Sequence, residues 1–170
     1  MNLAEYIRDV PDFPKPGIMF KDITPLLSNP SAFNACLADL EARARPLNGD
    51  VIVGMESRGF IFGAALAARM QLPFVPARKP GKLPAKSVRV EYALEYGTDT
   101  LEMHEDAMAA GQRALIVDDL IATGGTAAAT AKLVKKVGAE VAGFLFVVEL
   151  DFLKGREKLG DVLVESLLHY

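Results

Sequence analysis

The chain has 170 residues, 51% hydrophobic and 24% charged, which suits one folded domain with its own core and excludes a disordered or purely solubilising segment. Lys and Arg number 19 against 22 Asp and Glu, a formal charge of −3, a balance that argues against a general nucleic-acid binder, which needs a basic excess to displace phosphate counterions. One cysteine and two histidines exclude an intrachain disulfide and a Cys/His zinc cluster.

Taken in chain order, the elements alternate between strand and helix patterns, which favours an α/β sheet. Leu3, Ile7 and Val10 predict a short first helix, stopped by Pro11, Pro14 and Pro16. That start mixes Glu5, Arg8 and Asp9 and lacks the basic lead and apolar run of a secretory signal, so a cytoplasmic chain is expected. Ser31 is the expected cap of a helix carrying Phe33, Cys36, Leu37, Leu40 and Ala44 up to Pro46. Cys36 shares the apolar stripe and reads as core. Residues 51–54 predict a buried strand, 60–70 a helix and 72–75 another strand. The longest uncharged apolar stretch, residues 59–68, falls far short of the about 20 residues that a bilayer demands.

Residues 78–86 are basic, contain Pro80, Gly81 and Pro84, and have no period, which predicts a mobile loop. Val88, Val90, Tyr92, Leu94 and Tyr96 then alternate with Arg89, Glu91, Ala93 and Glu95, the pattern of a half-buried strand. Gly97 and Thr98 turn it into a partner strand bearing Leu101 and Met103, giving an antiparallel hairpin. Residues 114–117 predict a buried strand. Ala127, Ala131, Val134 and Val137 follow as the stripe of a helix closed by Gly138. Residues 141–148 predict a further strand, and 161–163 a short last one. His104 and His169 are given no catalytic role.

The most informative run is ALIVDDLIATGGT, residues 114–126. A buried strand ends in two adjacent acids, and a turn of small residues opens a helix. Such a turn presents main-chain N–H groups at a helix N-terminus, where an anion gains about 1 to 2 kcal/mol. Gly124 and Gly125 let a phosphate approach the main chain, and Thr123 and Thr126 add hydroxyl donors. Asp118 and Asp119 would repel that phosphate, so they should face vicinal ribose hydroxyls or a metal on other ligand oxygens. A monophosphate joined to a diol satisfies the whole run. The Walker A and dinucleotide-binding glycine patterns are absent.

This run resembles the phosphoribosyl-diphosphate signature of the type I phosphoribosyltransferases and matches it throughout. The segments FPKPGIMFKDITP (13–25), GMESRGF (54–60), RKPGKLP (78–84) and LEYG (94–97) are similar to the adenine-using branch of that family, and the similarity spans residues 11–158. The resemblance implies a type I phosphoribosyltransferase fold: α/β, with a mostly parallel central sheet flanked by helices, an N-terminal hood and an antiparallel hairpin flexible loop. It implies one domain over residues 1–170, with 1–30 as the base-binding hood and 78–104 as the flexible loop and hairpin. The implied reaction converts adenine and 5-phosphoribosyl 1-diphosphate to AMP and pyrophosphate, with Mg²⁺ accompanying the diphosphate. The implied form is a cytoplasmic homodimer without nucleic-acid or membrane partners.

Roles follow from the same resemblance. Asp118 and Asp119 are implied to hold the ribose hydroxyls, and Ala122, Thr123, Gly124, Gly125 and Thr126 the 5-phosphate. Met19, Phe20 and Lys21 are implied to bind adenine, with Phe20 stacking on the base and the neighbouring main chain reading its edge. Many relatives carry Arg where this chain has Lys21, a mild change where the backbone does the reading. Ser57, Arg58, Arg78, Lys79, Lys82 and Tyr96 are implied at the pyrophosphate. Arg58, Lys82 and Glu95 are implied to be catalytic, Glu95 managing a proton near purine N7. No side chain is implied to hold Mg²⁺ directly. Taken singly, Phe20 fits a core plug, Arg58 a surface ion pair and Glu95 a surface acid. The phosphate run itself leaves two alternatives open: a transferase for hypoxanthine, guanine or xanthine, and a non-catalytic sensor of phosphoribosyl diphosphate.

Overall fold

Prolines shape the beginning of the chain. In the computed structural model, which describes residues 1–93 and 97–170, Asn2 caps only a single 3₁₀ turn, Leu3–Tyr6. Arg8–Pro11 (β1) then runs antiparallel to Met19–Asp22 (β2), where the sequence pattern predicted a helix reaching Val10. A helix nucleus this close to Pro11 has too few residues to propagate, and pairing satisfies the same backbone groups. Asp12 accepts from the Gly17 amide at 2.8 Å across the connection. Two helices follow, the short Thr24–Ser28 (α1) and the longer Pro30–Ala44 (α2). The cap of α2 is Asn29, whose side chain accepts from the Ala32 amide at 3.0 Å, rather than the expected Ser31. Cys36 is fully buried, and burial, with Asp39 adding to it, pushes its thiol up to about 12.

The chain divides into two compact units, Met1–Asp39 and Leu40–Tyr170. The second holds Val51–Met55 (β3), Gly59–Met70 (α3), Phe74–Ala77 (β4), Ser87–Ala93 (β5), Thr98–His104 (β6), Arg113–Ile121 (β7), Gly125–Lys136 (α4), Glu140–Glu149 (β8) and Val164–His169 (β9). Its five-stranded sheet has the order β4-β3-β7-β8-β9, and every pair is parallel. The central strands are buried along almost their whole length, as strands covered on both faces must be. The predicted hairpin is present, β5 against β6 with Val90 opposite Leu101. Val90 and Tyr92 are buried while Arg89 and Glu91 are exposed, so the predicted alternation holds over the described part of that strand.

Three boundaries differ from expectation, each for a local reason. Gln71 takes a left-handed conformation and the Leu72 amide returns to Ala67, so residues 71–73 close α3 and β4 starts at Phe74. The last strand begins at Val164 rather than within 161–163, because Gly155–Leu159 coils as a 3₁₀ turn and the chain joins the sheet through Leu163. The third matters most: β7 continues to Ile121, so Asp118 and Asp119 sit inside the strand instead of beyond it. Gly138, at φ +87°, closes α4 as predicted.

Candidate active site

From β3 the chain crosses to β4 on one side, and β7 lies on the other. This reversal opens a crevice at the carboxyl ends of β3 and β7, the usual ligand position in an open α/β sheet. Gly54 of β3 lies level with Val117 of β7, so the Glu56-Ser57-Arg58 turn and the acids of β7 meet there. Close approach of the two depends on Gly59: a Cβ on it would stand 2.8 Å from both Asp118 Oδ1 and the Val117 carbonyl.

Arg58 Nε donates to Asp119 Oδ2 at 2.5 Å. The Asp119 side chain is 4% exposed and that of Arg58 50%, so the pair has one foot in the protein and one in solvent. Asp118 Oδ1 accepts from the Asp119 amide at 2.9 Å. Burial, and then the charge of Asp119, hold the Asp118 carboxyl well above the usual carboxylate range. A cavity of about 330 Å³ lies against these groups, with Ser57, Arg58, Lys79, Asp118, Asp119 and Thr126 in its wall.

Thr126 and Asp118 also line an adjoining cavity of about 100 Å³ at the start of α4, together with Ala122, Thr123, Gly124 and Gly125. Gly124 is left-handed, φ +77°, and no side chain caps the helix. The helix N-terminus therefore faces this cavity without an internal acceptor from a capping side chain. All seven residues expected at the ribose and 5-phosphate thus fall around two joined cavities.

The basic segment after β4 is tied down by acids. Arg78 donates to Glu56 Oε2 at 3.2 Å, and the Lys79 amide donates to the same oxygen at 2.9 Å. Burial alone would raise the Glu56 carboxyl, but Lys79 and Arg78 outweigh it and hold it below the usual range. The Arg78 guanidinium also lies 5.9 Å from the Phe60 ring centre. Lys79 Nζ pairs with Asp99, which also accepts from the Tyr92 hydroxyl, and Thr126 donates to that hydroxyl at 3.4 Å. Lys82 is exposed, its carbonyl accepting from Arg78. The larger cavity thus gathers Ser57, Arg58 and Lys79 of the expected pyrophosphate contacts, while Arg78 and Lys82 stand outside its wall.

Met19, Phe20 and Lys21 lie on β2 of the first unit. Phe20 is half-buried and meets Phe13 edge to face at 5.1 Å, and Lys21 Nζ pairs with Asp9 at 2.6 Å. Glu95 and Tyr96 lie outside the described residues. Sequence reasoning missed Glu56, Asp99, Gly59 and Gly155. Glu56 stood inside a quoted segment, and its place beside the Ser-Arg turn was the available signal. One further acidic cluster, Glu149, Asp151 and His169, offers three ligand atoms close together. Its Glu149 oxygens are occupied by Arg156 at 2.7 and 2.5 Å and by Ser166 at 2.6 Å, which makes it an ion-pair cluster.

Comparison with known proteins gives the family. The phosphoribosyl transferase domain family matches residues 31–162. The adenine phosphoribosyltransferase of Sorangium cellulosum is 60% identical over 173 residues, covering 99% of this chain and 86% of that protein. That of Kosmotoga olearia is 54% identical over 170 residues, the full length of both. The crystal structure of adenine phosphoribosyltransferase from Thermoanaerobacter pseudethanolicus superposes with a TM-score of 0.92 at 53% identity, covering 99% of this chain and 98% of that one. The Saccharomyces cerevisiae enzyme, complexed with an imino-altritol bisphosphate and adenine, superposes with a TM-score of 0.91 at 44% identity, covering 98% of this chain and 96% of that one. These relatives favour neither a 6-oxopurine transferase nor a non-catalytic sensor. By its sequence and its fold the chain belongs to the phosphoribosyl transferase family and, within it, to the adenine phosphoribosyltransferases.

Proposed function

We propose that the two joined cavities at the carboxyl ends of β3 and β7 bind 5-phosphoribosyl 1-diphosphate for the family reaction, the conversion of adenine to AMP in purine salvage. Residues 122–126 cradle the 5-phosphate, Asp118 and Asp119 face the ribose hydroxyls, and Arg58 and Ser57 meet the diphosphate. The observation that carries this reading is the shared wall: Asp118 and Thr126 line both cavities, as a ligand with a phosphate at one end and a diol in its middle requires.

The C1–N bond to a ring nitrogen of adenine forms as the C1–O bond to diphosphate breaks. The electron pair leaves with pyrophosphate, and one proton leaves the base. Positive charge grows on the sugar and negative charge on the leaving group, so fixed charges at those two places lower the barrier. Arg58 is held on Asp119 at 2.5 Å, which limits its reorganisation. Lys79 and, on closure of the basic segment, Arg78 and Lys82 add charge at the diphosphate and exclude water. Two carboxylates are too few for a protein cage around Mg²⁺, which readily takes the oxygens of a diphosphate and water instead. When bound, Mg²⁺ neutralises charge on the leaving group.

On this reading residues 1–30 are the base-binding hood, where Met19 and Phe20 offer an apolar wall to adenine and Lys21, held by Asp9, leaves the main chain to read the base edge. Glu95 takes the proton task near N7, and Tyr96 supports the loop at the pyrophosphate. A homodimer in the cytoplasm completes the reading by family resemblance. Among the described residues no helix is long and apolar enough to cross a membrane. The test is nucleotide formation by the purified protein with phosphoribosyl diphosphate, Mg²⁺ and adenine, hypoxanthine, guanine or xanthine in turn. AMP from adenine alone is expected; a nucleotide from an oxopurine at comparable rate would overturn the base assignment.

A further inference from the structure

Gly155 is buried within a segment, residues 151–158, that is otherwise exposed. Its main chain lies directly against the loop at the start of α4. A Cβ on Gly155 would stand 2.2 Å from the Ala122 carbonyl oxygen and 3.0 Å from the Gly124 amide nitrogen. Conversely, a Cβ on Gly124 would stand 2.2 Å from the Gly155 carbonyl oxygen. Two backbones touch here with no side chain between them, which only a pair of glycines permits.

The turn that carries Gly155 is fixed at both ends. Arg156 forms a two-pronged ion pair with Glu149 at the end of β8, and Ser166 of β9 donates to the same carboxylate. Leu159, at the other end of the 3₁₀ turn, is buried in the core. The Leu150 amide also donates to the Ile121 carbonyl at 3.0 Å, tying the end of β8 to the residue from which the loop departs. A bidentate guanidinium–carboxylate pair fixes direction as well as distance. Loop residues 122–124 therefore rest on a turn that the Arg156–Glu149 pair and buried Leu159 hold in place.

We propose that Gly155, held by the Arg156–Glu149 pair, is a positioning residue that sets the shape of the 122–126 loop and through it the affinity for the pentose 5-phosphate. The inference rests on the reading of that loop as the phosphate cradle. Main-chain donors bind an anion well only when their directions are fixed beforehand. Neither Gly155 nor Arg156 touches the substrate; both act through the backbone of Ala122 and Gly124.

The test uses the full chain as wild type and as Gly155→Ala, Arg156→Gln, Arg156→Lys and Thr123→Ala. Calorimetry gives the Kd for ribose 5-phosphate, steady-state kinetics give KM for each substrate, and thermal melting reports folding. Gly155→Ala and Arg156→Gln are expected to raise the Kd for ribose 5-phosphate and the KM for phosphoribosyl diphosphate about tenfold or more. The KM for adenine should stay within about twofold, and Arg156→Lys should recover part of the loss because it keeps the charge without the fork. Ribose 5-phosphate bound as in wild type by folded Gly155→Ala and Arg156→Gln, with Thr123→Ala weakened, overturns the buttress alone. An equal loss for adenine overturns it too, as the mark of a general disturbance. Affinity unchanged in Thr123→Ala and in folded Gly155→Ala and Arg156→Gln alike overturns the cradle reading and the buttress with it. Should Gly155→Ala not fold, the two Arg156 variants decide.

Discussion

At neutral pH the Asp118 carboxyl stands at a disadvantage, because burial first and the neighbouring Asp119 second both favour its protonated form. A carboxyl whose pKa is raised on folding binds more protons folded than unfolded between the two values. Stability on its account is therefore full below the ordinary carboxylate pKa and is lost as pH rises toward the raised one. Asp118→Asn keeps the shape and removes the charge, so its melting temperature should exceed that of wild type at pH 8 by more than at pH 5. Its turnover should fall, since a ribose acceptor becomes partly a donor. An equal change in melting temperature at both pH values would remove the electrostatic explanation. Arg58 acts at the same scale. Arg58→Ala should lower turnover by about 10²-fold, about 2.7 kcal/mol of transition-state stabilisation, and unchanged kcat and kcat/KM would take Arg58 out of the mechanism.

Elements bring these residues together, and two turns carry the burden. The start of α3 lies against β7 only because Gly59 has no side chain, so Gly59→Ala should destabilise the fold by about 1 to 3 kcal/mol through overpacking against Asp118 and the Val117 carbonyl. A melting curve matching wild type would mean that the turn has slack. The basic segment after β4 hangs on Glu56, which takes both the Arg78 guanidinium and the Lys79 amide. Glu56→Gln should raise the KM for phosphoribosyl diphosphate about tenfold with the adenine KM little changed, and steady-state kinetics check both. What could be read from the residues follows the range of each interaction. The strand–turn–helix order of the 114–126 run was legible because its parts are contiguous, although β7 carries on through both acids to Ile121 where the apolar pattern alone ended it at Val117. The β5 alternation was legible for the same reason. The pairing of β1 with β2 was not, because a few apolar positions before a proline fit a helix or a strand equally. Gly155 was invisible because its partner, Gly124, is remote in the chain, and a glycine gives no sign of what its missing side chain makes room for.

At the scale of the whole molecule, the parallel sheet brings the turn after β3 and the carboxyl-terminal half of β7 together at one end of neighbouring strands, and the Arg58–Asp119 pair joins them. A ligand that meets this arrangement binds the folded chain only, since the unfolded chain does not hold the two acids and the arginine together. Substrate should therefore stabilise the fold by ordinary linkage. At about 100 times its Kd a ligand adds about 2.7 kcal/mol, which for a chain of this length corresponds to a rise of about 5 to 11 °C in melting temperature. Phosphoribosyl diphosphate with Mg²⁺ should produce this rise in wild type, and ribose 5-phosphate at equal multiples of its own Kd should produce the same, since linkage counts occupancy alone. At one fixed concentration the two ligands should separate, the diphosphate shifting the curve further by virtue of its extra contacts with Ser57 and Arg58. In Arg58→Ala that separation should shrink while the response to ribose 5-phosphate stays near wild type, because the cradle at α4 is untouched. Differential scanning fluorimetry across both ligands and both proteins measures all four shifts. A full response of Arg58→Ala to the diphosphate would assign leaving-group recognition to the basic segment instead, and loss of the ribose 5-phosphate response would mean that the Arg58–Asp119 pair supports the cradle as well as the leaving group.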